Sequence, residues 1–177
     1  MKNLLILFLI MSLFSCCGKF SVSKSDSLTM IKRPFNGNQL RIDGYYYQLY
    51  NNQYFDAMIF YQDGTIITPG GVKESIEDMD NYITNSFLKK EDYKNVMYWW
   101  GVFIIDNNNI SFEMWYPSEA PYKAFISEGK IINSTTFLIT KRYRLVNGMQ
   151  TNIKEINDEY HFKQFSPKPD STNNFIK

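Results

Sequence analysis

The chain of 177 residues carries one imidazole, His161, and two thiols, Cys16 and Cys17. General acid–base catalysis draws most often on a histidine held by a partner. Strand alternation sets His161 apart from Tyr160 and Phe162 and beside Lys163, facing outward, with no partner suggested by its neighbours. One His and no Cys beyond position 17 exclude thiol catalysis and zinc sites built from several His and Cys ligands. Asp43, Asp56, Glu113 and Glu128 show no spacing that pairs two carboxylates for hydrolysis. Pro69-Gly70-Gly71 lacks the strand-to-helix spacing and the Lys of a phosphate loop. Asn107-Asn108-Asn109 lacks the alternating ligands and closing Glu of a calcium loop. No catalytic set, metal or cofactor emerges, so a protein that is not an enzyme is expected.

Two groups of residues are left for binding. Arg142 and Arg144 share a strand face, with Lys141 and Lys130 nearby. They read as a solvated sheet face or as an anion contact at a barrel mouth. Tyr46, Trp100, Phe112, Met114, Phe137 and Phe162 either fill a core or line a pocket for a small apolar ligand. Core and pocket would use the same side chains, so both readings stand. Charge adds no partner. With 19 Lys+Arg against 18 Asp+Glu, no basic field draws in nucleic acid and no acidic field draws in a basic partner. Apolar residues at 44% against 21% charged describe a chain that buries a core.

The first seventeen residues carry an address. Lys2 precedes an apolar run from Leu4 to Met11, extended by Leu13-Phe14. That run is short of the roughly 20 residues a membrane span needs, and its layout is that of a secretory signal. Leu13-Phe14-Ser15-Cys16 resembles the lipobox of bacterial lipoproteins, in which the Cys is lipidated and becomes the first mature residue. Cys16 is the better acceptor, with Leu13 and Ser15 at the −3 and −1 positions; Cys17 is the alternative. Neither Cys has a partner elsewhere for a disulfide. Two or more acyl chains anchor stably where one holds only marginally. No Asp follows the Cys, which by resemblance to the enterobacterial sorting rule favours the outer membrane. No acidic cluster of the kind that marks surface export follows either, so the periplasmic face is favoured.

The elements that must position these residues are mostly strands. Residues 16–33 are rich in Ser and Lys and read as a tether; residues 166–177, with Pro167 and Pro169, read as a loose tail. The folded part is 34–165. Asn51-Asn52, Asp63-Gly64, Asn107-Asn108-Asn109, Glu128-Gly129 and Asn147-Gly148 read as turns between aromatic-rich runs. From Tyr54 to Gln62, Phe55, Ala57, Ile59 and Tyr61 share one face and Asp56 marks the other. Val96 to Asp106 is so apolar that it predicts burial on both faces or beneath a helix. Ser75 to Lys90 is the single helical segment: Ser75 and Asp78 form a capping box, and Ile76, Met79, Ile83 and Phe87 make one apolar stripe. Eight to nine short strands in series predict an all-β, antiparallel up-and-down barrel with one short helix, because closure removes exposed edges.

Several stretches resemble the lipocalin-like lipoproteins common in Bacteroides and related bacteria: the leader with Cys16, Leu40-Arg41-Ile42-Asp43-Gly44-Tyr45-Tyr46, Phe60 to Thr65, Trp100-Gly101-Val102-Phe103, and Gly129 to Phe137. The resemblance implies a calycin-type barrel of about eight strands on a lipid tether and implies no activity. Tyr46 stands where classical lipocalins have Trp. The expectation is a lipid-anchored binding module that holds a small apolar ligand or presents its loops. The alternative is an accessory of an outer-membrane complex that uses Trp115 and Tyr116 as anchors. Asp26-Ser27-Leu28 and Asp170-Ser171-Thr172 resemble the O-glycosylation acceptor of exported proteins in such bacteria.

Overall fold

The computed structural model describes residues 24–50, 53–90, 92–117 and 120–177, without the side chains of Phe55 and Val72. The leader, Cys16 and Cys17 and the Asn51-Asn52 turn lie outside the described residues. The strands are β1 (Gly44–Tyr50), β2 (Gln53–Phe60), β3 (Thr65–Ile67), β4 (Val72–Lys73), β5 (Trp100–Asp106), β6 (Asn109–Trp115), β7 (Ala124–Asn133), β8 (Thr136–Val146) and β9 (Met149–Gln164). All pair antiparallel. Eight of them run β1-β2-β3-β5-β6-β7-β8-β9, and β9 returns to β1, so the sheet closes into a barrel. The short β4 pairs with β2 outside the ring.

Turn chemistry explains the strand order. At Asn147-Gly148 both residues have positive φ, 51° and 77°, the geometry of a two-residue hairpin turn matched to strand twist. At Asp63-Gly64 the Gly64 N–H donates to the Tyr61 carbonyl and the Asp63 carboxylate accepts from the Thr65 N–H and hydroxyl. Glu128-Gly129 is not the turn its composition predicts. It sits inside the continuous β7, at a register shift against β8. A Cβ on Gly129 would lie 1.9 Å from the Leu138 carbonyl oxygen, so glycine serves close strand approach there.

Helix α1 (Ile76–Tyr82) begins as the sequence predicts. The Ser75 hydroxyl accepts from the Asp78 N–H at 3.1 Å and donates to its carboxylate at 2.8 Å. A wider π turn, Ile83–Phe87, follows it. Met79, Ile83 and Phe87 are all fully buried on one side.

There are two cores. Inside the barrel, Tyr46, Phe60, Phe103, Phe112, Phe137 and Tyr160 lead one cluster. Outside it, Tyr45, Ile59, Ile67 and Trp100 pack under α1, with the Phe87 and Tyr93 rings alongside. This second layer is why β5 is apolar on both faces, as its sequence predicts.

Both segments expected to be loose are seated on the barrel where described. Asp26 accepts from the Ala124 N–H, its carbonyl accepts from the Trp115 indole, and Glu113 accepts from the Thr29 and Met30 N–H groups. Residues 25–35 thus run down the outer wall from the mouth to the base. In the tail, the Lys168 ammonium donates to the Ile42 and Phe60 carbonyls, the Pro169 carbonyl accepts from the Tyr61 hydroxyl, and the Phe175 ring meets Trp115. Polar composition predicts looseness; the barrel's apolar outer wall needs a cover, and these segments supply part of it.

Candidate functional site

One end of the barrel is packed and the other is hollow. At the base, Phe35 and Leu40 join the inner core, with the Phe35 N–H on the Gln62 carbonyl and the Arg41 N–H on the Ser134 carbonyl. Above them Tyr46 touches Phe60, Phe137 and Phe162, and Phe137 stacks on Tyr160 at 4.8 Å, a solid aromatic layer. Beyond that layer a cavity of about 460 Å³ opens at the mouth. This lies within the usual range of about 300–1,000 Å³ for small-molecule sites.

The cavity has an apolar wall and a polar floor. Met58, Phe112, Met114 and Phe125 line the wall; Tyr82, Tyr98, Trp99 and Tyr116 stand around the opening. The segment Thr68-Pro69-Gly70-Gly71 borders it, tied down by the Tyr82 hydroxyl on the Pro69 carbonyl and by the Thr68 N–H on the Trp99 carbonyl.

Four strands build the floor from Asp56, Ser127, Arg142 and Tyr160. Alternation with Met58 and Phe60 puts Asp56 on the inner face, beside a bulge. Between Tyr46↔Met58 and Gln48↔Phe55 the pairing of β1 with β2 slips by one residue, and Asp56 takes a φ of 48°. Asp56 lines the cavity and is exposed to solvent. Burial pushes its carboxyl above the usual carboxylate range, Arg142 opposes, and Asp158 adds to the rise. The Arg142 guanidinium sits 3.2 Å from the Ser127 hydroxyl and 3.8 Å from the Asp158 carboxylate. Burial, helped by Asp56 and opposed by Arg142, pushes the Tyr160 hydroxyl well above its ordinary value, so it stays neutral.

The residues singled out in sequence are dispersed. Phe112 and Met114 line the cavity. Tyr46, Phe137 and Phe162 belong to the packed layer below it. Trp100 lies outside the barrel, fully buried, its indole donating to the Tyr93 carbonyl. Arg142 and Arg144 diverge: Arg142 faces the cavity, while Arg144 donates to Asp26 of the N-terminal segment at 2.8 Å. A second register shift between them, against β9, accompanies the parting. His161 faces outward beside Glu159 at 3.5 Å. Asp43 holds Arg41, Glu128 accepts from the Tyr143 hydroxyl, and Glu113 clamps Thr29 and Met30, so three of the four carboxylates do structural work. Asp170 holds Lys94 and the Thr172 hydroxyl.

Sequence reasoning passed over Asp56, Ser127 and Tyr160 as site residues. One signal was available: Asp is depleted in strands, and Asp56 stands within an apolar one. Among the described residues, no group of three or more His, Cys, Asp or Glu side chains is placed to hold a metal ion. Nor is any helix among them long and apolar enough to cross a membrane. The closed antiparallel barrel with a cavity at its mouth defines the class of architecture. Set against known proteins, the chain matches no family model, no curated protein and no solved structure.

Proposed function

We propose that this chain is a lipid-anchored cell-envelope lipoprotein of lipocalin-like type, and that its barrel is a non-enzymatic module that holds one small, largely apolar ligand. The observation that carries the binding reading is the contrast between the barrel's two ends: a plugged, aromatic-packed base and a hollow mouth of about 460 Å³. A purely structural barrel of this size can fill itself with side chains. The lipobox at Cys16 carries the anchor, with Cys17 as the alternative acceptor and the periplasmic face of the outer membrane as the favoured address. Residues 25–26 are held against Tyr122 and Ala124 at the mouth end, which puts the start of the described chain on the side where the cavity opens.

Native mass spectrometry of the protein taken from its own cell membranes tests the binding reading. A bound small molecule, lost on replacing Met114 with Trp to fill the cavity, is the expected result; an empty barrel in every preparation overturns it. For the anchor, the Cys16→Ser variant is expected to leave the membrane fraction on sedimentation. Retention there would move the acylation to Cys17 or end the lipoprotein reading.

The accessory reading also has an observation behind it. Tyr116 is 51% exposed at the mouth, and Met149 and Ile153 are exposed on the β8–β9 hairpin, whose residues 149–157 have no β1 partner. Trp115 is not available to it: only 5% exposed, it lies under Phe175. Crosslinking in intact cells from position 116 or 153 separates the two readings.

A further inference from the structure

Resting on the binding reading above, we infer that the cavity selects a cationic amine: a ligand with a ring-bearing apolar body whose ammonium group sits on the Asp56 carboxylate. Three features of the site point there.

The first is the balance of charge on and behind the floor. Asp56 and Asp158 are two carboxylates against one guanidinium, Arg142. Arg142 already has Asp158 at 3.8 Å and the Ser127 hydroxyl at 3.2 Å. Among the described residues, none donates a hydrogen bond to Asp56 or pairs with it; Arg142 acts on it only through space. An exposed carboxylate on the cavity lining is open to a ligand cation, which it can hold by a charge-assisted hydrogen bond. An anionic ligand would have to displace Asp158 from Arg142 and then face Asp56.

The second is how Asp56 is placed. Strand alternation puts Asp56 on the inner face with Met58 and Phe60, opposite Ala57 and Ile59 of the outer core, and its left-handed backbone, φ 48°, costs a non-glycine residue free energy. A strand without the bulge would continue the pairing of Tyr46 with Met58 and need no such strain.

The third is the opening. Tyr82, Tyr98, Trp99 and Tyr116 surround it, and aromatic faces attract cations as well as apolar rings. Two of these rings already carry lysine ammonium groups, Lys73 4.0 Å from the centre of Tyr82 and Lys90 5.4 Å from that of Trp99, so Tyr98 and Tyr116 are the rings offered to a ligand. A cation entering along Tyr98 and Tyr116 meets aromatic surface before it reaches Asp56.

The test uses three matched probes with the same phenyl body: 4-phenylbutylamine, 4-phenylbutanol and 4-phenylbutyrate. Each is titrated calorimetrically against the full chain and against Asp56→Asn, with Trp99 fluorescence as a second readout. Asn suits the variant because it accepts a positive φ. The amine is expected to bind at least about tenfold more tightly than the alcohol, and the carboxylate to bind most weakly. In Asp56→Asn the amine should fall to the level of the alcohol while the alcohol's affinity holds. Equal binding of amine and alcohol, a preference for the carboxylate, or an amine preference that survives in Asp56→Asn overturns the inference and leaves the binding reading standing. Binding of none of the three overturns both.

Discussion

At the scale of single residues, the charges of this protein divide into those that hold the fold and one that does not. Lys168 holds it. Burial pushes its ammonium down to about 8, with Asp43 opposing, yet its two carbonyl acceptors fasten the tail to β1 and β2. Its folded value lies below the unfolded 10.5, so its pH-dependent contribution to stability grows as pH rises from about 8 towards 10.5. Lys168→Met keeps the stem and removes the head; it is expected to cost about 1–3 kcal/mol in urea unfolding at pH 7. Asp170 shows the opposite sense. Burial raises its carboxyl, but bonds from Lys94 and Thr172 outweigh this and set it at about 2. The stabilisation it brings is therefore complete above 3.8 and is lost as pH falls towards 2. Amide exchange should show Thr172, Asn174 and Phe175 losing protection over that range while β6 and β7 keep theirs. Uniform loss across the chain would show that the tail has no local acid switch. Asp56 holds nothing. Its replacement by Asn should leave the melting temperature unchanged or raise it, the usual relation between a binding group and the stability of an empty site.

At the scale of elements, the barrel depends on places where strands depart from regular pairing. Gly129 permits β7 and β8 to approach across a register shift, and Asp56 and Ala57 make the bulge in β2. Gly129→Val drives a side chain into the Leu138 carbonyl and is expected to destabilise by about 3 kcal/mol or more. Circular dichroism with urea unfolding measures it, and near-native stability would mean that β7 and β8 can separate freely. Helix α1 is a less demanding element. Its start rests on the reciprocal bonds of Ser75 with Asp78, so Ser75→Ala should cost about 1 kcal/mol and leave the cavity unchanged.

At the scale of the whole molecule, one closed sheet separates two apolar compartments. The inner one is solid at the base and hollow at the mouth; the outer one is covered by α1, the N-terminal segment and the tail. The barrel wall from β2 through β5 is therefore apolar on both sides. Removing residues 166–177 should uncover Tyr61 and Trp115, shift tryptophan emission to the red and promote self-association, while strand content survives. Loss of the barrel itself would mean that the tail is part of the folding unit and not merely its cover.

Local chemistry settled much of this protein in advance. Asp63-Gly64 and Asn147-Gly148 are hairpin turns wherever alternating strands flank them, and Ser75 with Asp78 starts a helix from its own hydrogen bonds. Short turns join most chain neighbours and made the order of the meander legible in the residues; β3 reaches β5 only across residues 68–99, which hold β4 and α1. What periodicity could not decide was which face looked inward. Tyr45 and Tyr46 are equally apolar neighbours, and so are Trp100 and Phe103 at odd spacing; with both faces buried, hydrophobicity no longer distinguishes them. Only closure sent Tyr46 and Phe103 inside and Tyr45 and Trp100 outside. Likewise Arg142 gained Asp158 from a strand paired across the register. Such encounters are products of long-range register, which no local run of residues encodes.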